Sequence, residues 1–217
     1  MTFTIFLVLH ILGGSVGLLS GTINLVRKKG DKRHKLVGKF FLYGMLTAGI
    51  SSLALSIIHP NYFLFIVGLF TIYLIATGSR YLHLKMLGHN QQPAKIDWAI
   101  TIIMLLTGLI FIGFGIKLLV VGKLFGIVFI VFGALAIFLV RIDFKNYKGK
   151  IVAKNYWLLS HLQRMTGAYI ASLTAFLAVN ATYFPEQIPG FIFWLLPTVI
   201  LVPLIFKWTN KYKVDNK

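Results

Sequence analysis

Seven times along this chain a run of about twenty residues passes almost without charge before a short polar or basic connection interrupts it. The runs cover approximately 3–26, 38–58, 62–84, 97–116, 119–140, 157–181 and 189–207. A hydrocarbon core of about 30 Å needs about 20 apolar residues per helix, because every backbone N–H and C=O must find its partner inside the segment. The fold class this predicts is all-α: a polytopic transmembrane bundle of about seven spans, forming a single integral membrane domain over 1–217. Composition agrees, since 58% of residues are hydrophobic, the mean hydropathy is +0.83 and only 12% are charged, too few to cover a soluble surface. Between Trp98 and Val140 the only charges are Lys117 and Lys123. One helix of that length would measure about 64 Å, twice the core, so a turn is expected between those lysines. Pro189, Pro197 and Pro203 fall in the last run, which should be kinked or buried against neighbours.

Charge tests the span count independently. Seven Lys/Arg lie from Arg27 to Lys39, three from Arg80 to Lys95, five from Arg141 to Lys154 and four from Lys207 to Lys217. The intervening turns around His59 and Glu186 carry none, and the remaining one carries Lys117 and Lys123. Basic residues therefore gather on alternate connections, which predicts the N terminus outside and the C terminus in the cytoplasm. In a soluble chain, twenty-two Lys+Arg against five Asp+Glu would suggest nucleic acid. Here the expected partners are anionic lipids at the cytoplasmic face, with no nucleic acid. MTFTIF lacks the positive start of a signal peptide, so Met1 to Val26 reads as a retained span. The absence of cysteine excludes disulfides, thiolate metal sites, thiol catalysis and Cys lipidation.

On the first span His10, Gly14, Gly17, Gly21 and Asn24 recur every three or four residues and share one helix face, with Gly13 adjoining. Such a face is a small-residue seam for close helix approach, with His10 and Asn24 bonded across it. Alternatively the glycines make room for a flat cofactor under a histidine ligand, as in haem proteins. His10 and His161 differ by roughly 13 Å along the membrane normal, too far to ligate one iron. The basic end is richer. His34 precedes the second span, Arg80 and His83 close the third, Asp97 opens the fourth, and His161 and Arg164 open the sixth. An ionisable residue as deep as Arg164 faces the bundle and finds a partner, and Asp97 is the acidic residue placed to provide one. Gly167 continues a small-residue seam on that helix.

Paired carboxylates for hydrolysis, HExxH, GxSxG and phosphate-binding glycine loops are absent. The segments LHILGGSVGLLSG, RKKGDKRHKLVGKFF with Gly-Met just beyond, YLIATGSRYL and HLQRMTGAYIASLTAFLAVN resemble the domain-of-unknown-function 2306 family, a group of uncharacterised bacterial multi-pass membrane proteins. The resemblance implies a polytopic fold in the bacterial cell (inner) membrane, with His10, His34, Arg80, His161 and Arg164 as the matching polar positions. It implies no activity.

Three functions follow as expectations. One is a cytoplasmic-side pocket of His34, Arg80, His161 and Arg164, braced by Asp97, that binds an anionic ligand or lipid headgroup. Another is a membrane redox protein holding haem b or a quinone through His10, His83 or His161. The third is a non-catalytic subunit, homo-oligomeric or partnered in a membrane complex, whose glycine seam is its interface.

Overall fold

The structure, a computed structural model, describes residues 1–185 and 187–215. Glu186, in the turn before the last span, and Lys217, counted with the last basic segment, lie outside them. Seven long helices follow in order: α1 Thr2–Val26, α2 Lys32–Ile58, α3 Tyr62–Tyr81, α4 Lys95–Val120, α5 Gly126–Tyr147, α6 Tyr156–Val179 and α7 Gly190–Tyr212. A 3₁₀ turn, Ala181–Tyr183, separates the last two. No strand forms among the described residues. All but α6 are long and apolar enough to cross a membrane, so the chain is a multi-pass helical membrane protein. At 24 residues α6 is long enough as well, and His161, Gln163 and Arg164 are among the polar residues that dilute it.

Several boundaries differ from those read in the sequence. Helix α2 starts at Lys32, earlier than the hydropathy suggests, because the Asp31 carboxylate accepts the His34 N–H at 2.5 Å and caps the first turn. Helix α3 stops at Tyr81 and not at 84. Helix α5 runs to Tyr147, past the expected end at 140, because Asp143, Asn146 and Tyr147 are buried there. The turn between α4 and α5 falls where the two lysines predicted it, with Gly122 at φ +76° taking the left-handed position that costs other residues most. Helix α7 continues through Pro197 and Pro203, the former buried as expected.

The chain divides into two compact units. The first contains Met1–Ser79 and Leu159–Tyr212, hence α1, α2, most of α3, most of α6 and α7. In it α1 lies tightly on α2: a Cβ at Gly13 would stand 2.8 Å from the Gly44 carbonyl oxygen, and one at Gly17 2.6 Å from Met45 Sδ. A Cβ at Gly21 would run into the Tyr169 ring of α6, whose hydroxyl meets Thr22 Oγ1 at 2.7 Å. The opposite face of α1 repeats Ile5, Leu12, Leu19 and Val26 every seven residues, all more than half exposed, which is the stripe a lipid-facing helix presents. Gly14 corrects the expected seam, since nothing lies within 4 Å of a Cβ there. The contact line runs through 13, 17 and 21, and Gly14 is turned about 100° off it. Gly167 meets only Leu74, at an ordinary 3.6 Å, so it permits no unusual approach.

The second unit contains Arg80–Leu158 and the described residues 213–215. Its α4–α5 hairpin closes on paired glycines, a Cβ at Gly133 reaching 2.8 Å from the Gly108 carbonyl and one at Gly115 2.7 Å from that of Gly126. Beside the hairpin, Tyr81, Leu84, Leu87, Tyr147 and Tyr156 form a buried cluster edged by Trp98, Ile151 and Trp157. Tyr156 holds the loop after α3 by donating to the Leu84 carbonyl and accepting the Leu87 N–H at 2.9 Å.

Candidate functional site

In the first unit the polar residues converge where α6 crosses α3 at Gly78. His161 and Arg164, three residues apart, lie on one face of α6. His161 Nδ1 is 2.8 Å from the Gly78 carbonyl oxygen. A carbonyl only accepts, so Nδ1 carries the hydrogen and the neutral ring presents Nε2 as an acceptor. A Cβ on Gly78 would stand 2.9 Å from Arg164 Cβ, so a side chain there would push α6 away. The Arg164 guanidinium lies 5.0 Å from the Tyr73 ring centroid, and the residue is 3% exposed. His34 lies in the first turn of α2. The Asn24 amide of α1 donates to the His34 carbonyl at 3.2 Å. Two polar atoms of this group, His34 Nδ1 and Asn24 Oδ1, are buried without a hydrogen-bond partner among the described residues. The capping carboxylate of Asp31 is held below the usual carboxylate range, chiefly by the His34 backbone N–H and further by Arg27.

Arg80, His83 and Asp97, also expected at the basic end, belong to the second unit. Asp97 does not wait for Arg164: Arg80 grips it, with Nε 2.6 Å from Oδ1 and Nη2 3.0 Å from Oδ2. Asp97 Oδ2 also accepts the Ala94 N–H at 2.8 Å, so the same carboxylate caps α4. Two of the Arg80 nitrogens are thereby committed inside the protein. His83 lies beyond the end of α3 and is exposed, with its carbonyl accepting from Gln91 Nε2 at 2.7 Å. It does not face a core.

Asp143 falls inside the basic connection counted from Arg141 to Lys154 and has no role in the sequence reading above. It is fully buried; the Tyr81 hydroxyl donates to its Oδ1 at 2.7 Å, and Asn146 Nδ2 donates to that hydroxyl at 3.1 Å. The available signal was spacing. The buried stripe Gly126, Phe129, Gly133, Ala136, Val140 continues at the same interval into Asp143 and Tyr147, across the charges that stop a hydropathy reading.

His10 Nδ1 donates to the Ala48 carbonyl at 3.0 Å, making it a cross-helix contact between α1 and α2. The glycine face below it is filled by Gly44, Met45 and Tyr169. That face therefore has no room for a planar cofactor and, being used within the chain, is not a free interface for a partner. No group of three or more His, Asp or Glu residues is placed to hold a metal among the described residues. Compared with known proteins, the chain matches no family model, no curated protein and no solved structure.

Proposed function

We propose that the protein is a multi-pass membrane protein whose first unit binds a small anionic group that still carries a proton, with His34 and Arg164 as donors to it and His161 Nε2 and Asn24 Oδ1 as acceptors from it. The observation that carries the reading is the pair of buried, unanswered polar atoms, His34 Nδ1 and Asn24 Oδ1, on two residues already joined by the Asn24 amide to His34 carbonyl hydrogen bond. Leaving such atoms unbonded costs about 1–3 kcal/mol each, and a bound group that accepts from one and donates to the other removes that cost. Arg164 supplies the positive field that selects an anion. The alternation of basic connections supports placing this pocket at the cytoplasmic side of a cell membrane, with the N terminus outside. Arg80 and Asp97 enter the reading as a structural pair and not as part of the clamp.

The test is thermal unfolding of the purified protein in a zwitterionic detergent at fixed ionic strength, comparing inorganic phosphate, sulfate and acetate with chloride. Phosphate, the one of the three that keeps a proton to donate near neutral pH, should raise the midpoint most, and His34→Ala should abolish the gain. Equal midpoints in all four salts would refute the proposal.

One observation favours a second reading, haem b or quinone binding. His161, with Nδ1–H bonded to a backbone carbonyl, is oriented as metal-ligating histidines are, with Nε2 as the ligand atom. The absorption spectrum of the detergent extract decides it. A haem band lost on His161→Leu supports the redox protein, and a colourless sample removes its haem version.

A further inference from the structure

Beyond the last turns of α1 and α7 the first unit has an open groove of about 500 Å³. Four cations line it, Arg27, Lys28, Lys29 and Lys211, together with two aromatic residues that carry a polar edge, Trp208 and Tyr212. No carboxylate is among the described residues lining it.

The groove has a built frame. Lys29 Nζ donates to the Asn24 and Leu25 carbonyls at 2.6 Å each, satisfying the open C-terminal end of α1. The same ammonium lies 4.8 Å from the Trp208 ring centroid, which ties the end of α1 to α7. Lys29 is thus a fixed part of the wall, and its burial pushes its pKa below the usual lysine range. The other cations are less committed. Lys28 and Lys211 are exposed, and Arg27 Nε is buried without a hydrogen-bond partner among the described residues. Arg27 Nη2 reaches Asp31 only at 3.4 Å.

Four positive groups around one opening repel each other unless an anion sits among them. The anion's source follows from the surroundings. The groove lies at the ends of two helices apolar enough to cross a membrane, and Val26, 84% exposed, stands at its rim. Trp and Tyr are the side chains that settle where a bilayer meets water. A ligand arriving there brings its charge at headgroup level and its apolar part alongside α1.

We propose that this groove binds the phosphate of an anionic phospholipid headgroup, with the side chains of Arg27, Lys28 and Lys211 as donors and Trp208 and Tyr212 against the glycerol region. The site shares no lining residue with the His34–His161 pocket, and it stands or falls separately from that reading.

The experiment is native mass spectrometry of the protein in a neutral detergent, titrated with phosphatidylglycerol and phosphatidylcholine carrying identical acyl chains. Phosphatidylglycerol should be retained in preference. Lys28→Gln and Lys211→Gln should each lower that preference about fivefold. Both residues are exposed, and circular dichroism checks that the helices persist. Lys117→Gln and Lys123→Gln, at exposed positions in the last turn of α4 and the connection after it, should leave the preference unchanged. Equal retention of the two lipids overturns the proposal, and so does an equal loss in the α4–α5 variants. Displacement of bound lipid by equimolar inorganic phosphate would make this a free-anion site and overturn the lipid assignment.

Discussion

Replacing Asp97 by Asn tests the most completely specified polar contact in the second unit. The Asp97 side chain is fully inaccessible and accepts three hydrogen bonds, from Arg80 Nε at 2.6 Å, Arg80 Nη2 at 3.0 Å and the Ala94 N–H at 2.8 Å. An asparagine oxygen can keep the Arg80 Nε bond, but its NH₂ then points at Arg80 Nη2 and the Ala94 N–H, so two donors face a donor. Each such mismatch costs about 1–3 kcal/mol when buried. The Arg80 side chain is 33% exposed, so water relieves part of its share. The net loss should be about 2–4 kcal/mol. For a chain of this size that lowers the unfolding midpoint by about 5–15 °C. The assay is thermal unfolding in mild detergent, followed by helical circular dichroism and by tryptophan fluorescence, since Trp98 sits one residue from the substitution. Arg80→Gln strands the carboxylate with one donor fewer and should cost at least as much. In the double variant the two losses should fall short of additive by about 1 kcal/mol or more. Shifts below about 2 °C in both single variants, or strict additivity, would refute the claim that Arg80 and Asp97 form a stabilising pair within the second unit.

Gly13→Ala places a Cβ 2.8 Å from the Gly44 carbonyl and should cost about 1–3 kcal/mol, whereas Gly14→Ala meets nothing within 4 Å and should be neutral or slightly stabilising. Paired unfolding midpoints check the contrast, and equal effects would mean that the α1–α2 contact line is misplaced. Tyr81→Phe removes the hydroxyl between Asp143 and Asn146 and should destabilise by about 1–3 kcal/mol, again read from the midpoint. Asp31 has its carboxyl pKa depressed in the folded chain, so its stabilising cap is present above the ordinary value of 3.8 and is lost as pH falls through the lower folded value. Hydrogen exchange at the His34 and Lys35 amides should therefore speed up in that acid window beyond the intrinsic pH trend, and Asp31→Ala should remove the extra dependence.

Much of the fold was legible because a bilayer imposes a one-dimensional rule. Each span must be about 20 apolar residues long and self-satisfied in hydrogen bonds, so the seven helices and the α4–α5 turn can be counted along the chain. His34, His161, Arg164, Arg80 and Asp97 were legible for the same reason, as polar residues that stand out against an apolar background. Their pairing was not. Spacing along the chain says nothing about whether Asp97 meets Arg80 or Arg164, because that depends on which helices are neighbours and how each is rotated. Asp143 was hidden by the same limit, since a mean over a window records its charge and loses its phase on α5.

What the sequence alone determined is thus the class of the protein and the inventory of its helices, set by the cost of burying backbone polar groups in lipid. Only the tertiary structure decided which glycines lie against a neighbour, that Gly14 is not among them, and that Arg80 is the arginine holding Asp97. Those choices turn on distances of a few tenths of an ångström between side chains far apart in the chain, and only the assembled helices set such distances.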